Sequence, residues 1–318
     1  MLKYIVIELD DTSTSYCHYE NTCTAPRLID IDTLKAGILF SMKQNLYIQF
    51  LYPKYDLPDE YKEVIESIDH IKIKPSSADN LTDADFIVVD GLETVASLQW
   101  QPSSMYIFRV SKSELSNLPA LIQSAKDNVE RVNVVLTDID LFTDDDFATY
   151  QETLKSISDV LCETITQEKN FQVNLLSDRL MVTGMRNCNA GDDVITLAPN
   201  GKFYICPAFY HEDATECCGD IHSGLCIKNK QLYKLDYAPI CRNCDAYHCK
   251  RCVWLNRKLT LEVNTPSHEQ CVISHLERNT AKLIYDRISA SEEYRLGAPL
   301  PEIDYLDPFE VRKRWQDK

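Results

Sequence analysis

A chain of 318 residues can fold around one large core, or one core and a small module. Hydrophobic residues make up 44% of it, and no apolar run reaches the ~18 residues that a membrane span needs, so a membrane role is excluded. The formal net charge of −16 would repel a phosphate backbone, which excludes nucleic acid as a partner and permits a neutral or basic peptide.

The first part of the chain alternates β-like runs with helical patterns. The start, MLKYIVIELDD, has neither the basic region nor the cleavage site of a secretory signal, so a cytoplasmic, reducing location is expected. A strand is predicted over Tyr4–Leu9. Asp32 is the predicted cap of a helix with Leu34, Ile38 and Met42 on one face. Further strands are predicted over Leu46–Tyr52, Ile71–Lys74, Phe86–Val89, Met105–Val110 and Val132–Leu136. Asn117-Leu118-Pro119 reads as a cap and helix start. The longest helix is expected from about Asp145 to Gln167, followed by a strand over Val173–Leu176. This alternation predicts an α/β protein with a parallel sheet, either a partial (βα)6-type barrel or an open doubly wound sheet.

From about Thr183 regular periods give way to Cys, Asp, Asn and Tyr with short turns. Cys241-Arg-Asn-Cys244-Asp-Ala-Tyr-His-Cys249-Lys-Arg-Cys252 holds two CxxC pairs, each placing two thiolates on one turn where they can grip the same metal or cluster. Cys188, Cys206, Cys217, Cys218 and Cys226 precede the block and Cys271 follows it. In a reducing compartment such thiols bind metal more often than they form disulfides. So many exceed one zinc site, which favours iron–sulfur; a single structural zinc is the alternative. A helix is expected over Ser274–Arg287, and Gly297–Lys318 reads as a Pro- and charge-rich tail.

Elsewhere the residues suggest less. Cys17, His18 and Cys23 lack a third close cysteine and read as a loop with two solvent-near thiols, and Cys162 as a buried helical thiol. Asp10, Asp11, Asp90, Asp138 and Asp140 fall at strand ends, where they are expected to cap the following helices. His211, His222 and His248 are expected to be hydrogen-bonding neighbours of the cysteines.

The order Cys188-x12-Gly201-x4-Cys206, Cys241-x2-Cys244-x4-Cys249-x2-Cys252, then Cys271 resembles the SPASM domain of radical S-adenosylmethionine peptide maturases. The last two gaps of the block are one residue shorter than that family's usual five and three. The resemblance implies two auxiliary [4Fe–4S] clusters. Cys241, Cys244, Cys249 and Cys271 would hold one. Cys188, Cys206 and Cys252 would hold the other, its fourth ligand being Cys217, Cys218 or Cys226, or the site staying open. The resemblance also implies a barrel over residues 1–182, a cluster domain over 183–275 and a C-terminal helix and tail over 276–318.

The N-terminal half looks like the partial barrel of the same enzymes, with Leu28–Leu34 and Asn45–Phe50 resembling their first helix and second strand. Their CxxxCxxC motif is absent: the corresponding loop runs from Ser15 to Cys23, with five residues between Cys17 and Cys23. Their Gly-Gly-Glu after the second strand is replaced by Phe50-Leu51-Tyr52-Pro53. S-adenosylmethionine chemistry is therefore not expected. The segments Cys249–Asn256 and Asn264–Cys271, with His275-Leu-Glu-Arg278, resemble the CXXX repeat peptide maturases. That implies a role in maturing a Cys-rich ribosomal precursor peptide, either directly through the clusters or as a non-catalytic scaffold that escorts the peptide to a partner maturase.

Overall fold

The computed structural model describes residues 2–93, 95, 98–185 and 188–289. The expected tail Gly297–Lys318 lies outside the described residues. The N-terminal half runs β1 (Tyr4–Glu8), α1 (Ile31–Gln44), β2 (Tyr47–Leu51), α2 (Asp59–Glu66), β3 (Ile71–Pro75) and β4 (Phe86–Asp90). It continues through β5 (Met105–Val110), α3 (Leu118–Ala125), β6 (Arg131–Leu136) and α4 (Asp144–Thr166) to β7 (Gln172–Val173) and α5 (Asn174–Met181). In the cysteine-rich part follow β8 (Val194–Leu197), β9 (Phe203–Tyr204), α6 (Pro207–Glu212), β10 (Gly219–Asp220), β11 (Gly224–Leu225), α7 (Val253–Thr260) and α8 (His268–Ser289).

The main sheet has the order β7-β6-β5-β4-β3-β2-β1-β8-β9. Neighbours from β7 through β1 to β8 are parallel, and only β8 and β9 are antiparallel. Seven strands in unbroken sequence order make a singly wound parallel sheet, and crossovers of one hand would keep the helices on one face. A doubly wound sheet would reverse direction somewhere, so of the two architectures expected this order fits the partial barrel.

The two faces of the sheet divide the apolar residues. Ile5, Ile7, Phe50, Ile87, Phe108 and Val134 point outward under the helices in the main core. Val6, Leu51, Ile73, Val88, Ile107 and Val135, one from each of the first six strands, form a thin inner layer. Above and below it the inner face is polar, with Glu8, Gln49, Arg109, Arg131 and Asn133, so the interior is built to meet something other than a helix.

Several local expectations are corrected. Asp30, not Asp32, caps α1, its carboxylate accepting from the Asp32 and Thr33 amides, and Met42 is exposed although Leu34 and Ile38 are buried. Asn117 makes no side-chain cap; it ends a 3-10 turn that runs straight into α3. The strand expected over Val173–Leu176 stops at Val173. There the Asn174 amide exchanges hydrogen bonds with the main chain of Val134 at 2.7 and 3.0 Å, and the Ser177 hydroxyl accepts from the Val173 amide, turning the chain into α5. A short apolar run carries no period with which to tell these states apart.

The cysteine-rich segment is tied to the barrel. β8 adds to the free edge of β1, α8 packs along α4 and α5, and Gly201 takes the positive φ of +76° that the β8–β9 hairpin needs.

Candidate metal centre

The loop after β1 folds into the barrel. The Ser13 hydroxyl donates to the Leu51 carbonyl at 3.0 Å, and the Asn21 amide donates to the carbonyls of Asp11 and Ser13, each at 2.8 Å. From the opposite wall Arg109 reaches in, Nε donating to the Cys17 carbonyl at 3.1 Å and Nη2 to the Tyr19 carbonyl at 2.7 Å. His18 Nδ1 sits 2.8 Å from the Leu136 carbonyl. Held from three strands, the loop divides the interior. Beyond the carboxyl ends of the strands lies a polar cavity of about 750 Å³, bordered by Ser13, Lys54, Asp90, Arg109 and Asp138. On its other side a cavity of about 540 Å³ is lined by Gln49, Ile73 and Arg131 together with Cys17, Cys188 and Cys252.

The thiols fall into three groups. Burial, then the neighbouring Cys252, Cys188 and Cys17, push the Cys206 thiol well above its ordinary range. Cys252 is likewise raised by burial and by Cys188 and Cys17. Cys17 is pushed up to about 11 by burial and Cys188, while Lys250 acts the other way. Cys17, Cys188 and Cys252 line the inner cavity, and the Cys206 thiol lies near enough to feel all three.

A second neighbourhood holds Cys241, Cys244, Cys249 and Cys271. Burial, then Cys249, Cys241 and Cys244, raise the Cys271 thiol, and burial and Cys249 carry Cys241 to about 12. Backbone amides point at the sulfurs: Ala246 N donates to Cys244 Sγ at 3.4 Å and Arg251 N to Cys249 Sγ at 3.3 Å. His275 Nε2 is 3.6 Å from Cys244 Sγ. Such donors stabilise thiolate charge and tune the potential of a cluster bound there.

A buried ionic frame supports this group. Asp245 accepts from Arg278 Nε at 2.9 Å and from Arg179 Nη2 at 3.1 Å, with Arg179 stacked 4.7 Å over the Tyr247 ring. Glu277 accepts from the Tyr150 hydroxyl at 2.6 Å and faces His248 Nε2 at 2.9 Å. The CxxC turns are thus fastened to α4, α5 and α8.

Cys217, Cys218 and Cys226 make up the third group, around the β10–β11 hairpin. Cys217 and Cys226 are exposed and Cys218 is buried; its amide donates to Phe203 and its carbonyl accepts from the Cys226 amide, both at 2.7 Å. Cys162 is buried in α4 as expected, and Cys23 is exposed. Cys17 is part-buried, its backbone drawn inward by Arg109, and it lines the inner cavity.

The donor sets can be tested against what they would hold. Tetrahedral zinc with Zn–S bonds of about 2.3 Å draws its sulfurs to within about 4 Å of one another. Among the described residues no three His, Cys, Asp or Glu side chains are gathered as a single ion would require. Two groups of four thiols, the second with N–H···S donors at Cys244 and Cys249, offer one cysteine per iron to a multi-iron cluster.

The strand-end aspartates do not cap the following helices. Asp10 accepts from Thr12 and from the Tyr55 hydroxyl, Asp11 pairs with Arg27, and Asp90 pairs with Arg109. Asp138 accepts from the Lys112 amide, and Asp140 pairs with Lys258 at 3.0 Å. His211 Nε2 lies 2.6 Å from the fully buried Glu8, whose carboxyl burial pushes above its usual range; His222 is exposed. Sequence reasoning missed this buried pair, and Cys17 and His275 as members of the thiol groups; local spacing carries no signal for contacts made across the fold.

No protein-family model matches the chain, and no curated protein matches it in sequence. Solved structures do. The fold is similar to that of anSMEcpe, an anaerobic sulfatase-maturating enzyme, with bound AdoMet: TM-score 0.58 at 12% identity, covering 90% of this chain and 97% of that one. A second structure of anSMEcpe, with bound AdoMet and Kp18Cys peptide, gives a TM-score of 0.61 at 11% identity over 90% and 99% of the two chains. A third, with bound AdoMet and Cp18Cys peptide, gives 0.60 at 11% identity over 87% and 96%. The chain therefore has a radical SAM-like α/β fold. The expectation that AdoMet is not used gains no support from these neighbours, which carry it. Among the described residues no helix is long and apolar enough to cross a membrane.

Proposed function

We propose that this protein takes part in maturing a cysteine-rich ribosomal precursor peptide, using two [4Fe–4S] clusters held by its C-terminal cysteines. The observation that carries the reading is the sorting of eight thiols into two neighbourhoods, one at the inner cavity of the half-barrel and one braced by Asp245 and Glu277. Residues 183–275 would act as a SPASM-like module. The neighbours crystallised with Cys-containing peptides add weight to a peptide substrate.

When bound, such clusters would supply electron transfer, or, where one protein thiolate gives way, an iron site to which a substrate thiolate can bind. The protein's own residues do the rest. The polar mouth offers Asp90 and Asp138 to a basic or neutral peptide, and Lys54 to its carbonyls or C-terminus. The loop Ser13–Asn21 separates the mouth from the inner thiols.

S-adenosylmethionine cleavage is not part of the proposal, because no CxxxCxxC follows β1 and Tyr52-Pro53 stands where the family has Gly-Gly-Glu. The test is anaerobic incubation of the protein with AdoMet, dithionite and a synthetic peptide bearing a cysteine every fourth residue. The expected result is peptide binding without release of 5′-deoxyadenosine. Cosubstrate cleavage overturns the AdoMet clause, and failure to bind overturns the substrate class. A scaffold role is the outcome if the peptide binds yet leaves unmodified in every redox state.

A further inference from the structure

We infer that Cys17, on the loop after β1, is the fourth ligand of the cluster site formed by Cys188, Cys206 and Cys252, stapling the half-barrel to the cysteine-rich segment. The inference rests on the iron–sulfur reading above and deepens it.

Placement is the main argument. Cys17, Cys188 and Cys252 line the same cavity inside the barrel, and Cys206 lies within electrostatic reach of all three. Cys17 does not wander there: its own carbonyl is clamped by Arg109 Nε at 3.1 Å, and its neighbours by the Arg109–Tyr19 and His18–Leu136 contacts. A bound cluster would take all four as thiolates. Lys250, which lines the cavity and acts on both Cys17 and His18, adds positive charge where the thiolates would gather.

Elimination points the same way. Cys217 and Cys226 face solvent, and Cys218 is committed to the β10–β11 hairpin by hydrogen bonds on both sides of its backbone. Cys23, the other thiol of the β1 loop, is exposed. Three assigned ligands leave one iron short, and Cys17 is the remaining thiol in the neighbourhood.

The ligand also has a mechanical meaning. A bond from position 17 to a cluster held by 188, 206 and 252 closes long loops of chain, the geometry in which a cross-link restricts the unfolded state most. The β1 loop would then be an internal strut, with Ser13–Ser15 left to face the mouth.

The experiment compares wild type with Cys17→Ala, Cys23→Ala and Cys206→Ala, all purified without oxygen. It reads iron and sulfide per chain and the electron paramagnetic resonance spectrum after stepwise reduction. Cys17→Ala is expected to alter the same one of the two cluster signals that Cys206→Ala alters, with loss of about one to four irons. The other signal stays, and Cys23→Ala matches wild type. A Cys17→Ala spectrum and iron content equal to wild type, while Cys206→Ala is changed, overturns the fourth-ligand assignment alone. Wild type without iron or sulfide overturns the underlying reading as well. If Cys17→Ala is insoluble, Cys17→Ser replaces it. The serine hydroxyl is a poorer ligand and must still shift that one signal; an unshifted signal overturns the assignment.

Discussion

The guanidinium of Arg109 in β5 holds the backbone carbonyl of Cys17 at 3.1 Å, across the width of the half-barrel. Its Nη2 holds Tyr19, and Nη1 pairs with Asp90. Only Arg offers a planar fork that can serve three acceptors at once. One inward-facing side chain thereby decides that the β1 loop lies inside the barrel.

Replacing Arg109 by Met keeps volume and removes the donors. The buried carbonyls of Cys17 and Tyr19 are left unpaired, and a loss of about 3 kcal/mol in unfolding free energy is expected. Hydrogen exchange should quicken in residues 13–23 and stay slow in β2 and β6. Uniform exchange across all three would show that Arg109 acts on the whole barrel and not on the loop.

The interleaving of thiols gives a second prediction. Cys249 and Cys252 are three positions apart, yet the Cys249 thiol lies close enough to act on Cys271 and the Cys252 thiol on Cys206, so the proposal places them at different clusters. Cys249→Ala and Cys252→Ala should each remove about half of the iron, and from different clusters, as separate spectroscopic signals will show. Identical residual spectra would contradict the interleaving.

How far the sequence carried this picture depends on the range of the interactions involved. The strands β1 to β6 were legible because parallel strands buried on both faces read as short apolar, β-branched runs closed by turn residues. The CxxC turns that bring Cys241, Cys244 and Cys249 together were legible because their spacing is local, whereas the SPASM-like order that joins them to Cys188, Gly201 and Cys206 belongs to the proposal. The cap at Asp30, the inward turn of Cys17 and the Glu8–His211 pair were not, since each is settled by partners distant in the chain or by one residue of cap register. Asn174 illustrates the limit: its side chain bonds the main chain of Val134, and an apolar run read as strand becomes a helix.

Asp245 should be the most sensitive non-cysteine position in the C-terminal segment. It is buried between Arg179 and Arg278, and Asp245→Ala leaves two buried guanidinium groups without their carboxylate. A loss of about 3–5 kcal/mol is expected, together with lower iron occupancy of the cluster at Cys241 and Cys244. Thermal denaturation alongside iron analysis checks both; normal stability and iron would show that the frame is dispensable.

Acid stability offers a separate test at the outer wall of the barrel. Burial works to raise the Asp83 carboxyl, but hydrogen bonds from Lys72 at 2.8 Å and Lys74 at 2.6 Å outweigh it and hold it at about 2, below its ordinary 3.8. A depressed folded-state value means the stabilisation is complete above about pH 4 and is lost as pH falls through 2. Because the carboxyl is partly exposed, about 1 kcal/mol is expected for Asp83→Asn at pH 7, shrinking to nothing near pH 2. A pH-independent difference in urea denaturation would assign the effect to packing.

The central claim, two four-thiol sites each holding a [4Fe–4S] cluster, is tested most directly by iron, sulfide and zinc analysis of protein purified without oxygen, read with its visible absorption. The account predicts about eight irons and eight sulfides per chain, with the broad visible band of thiolate-bound clusters. Zinc without sulfide would contradict it and leave a metal-stabilised scaffold in place of a redox protein.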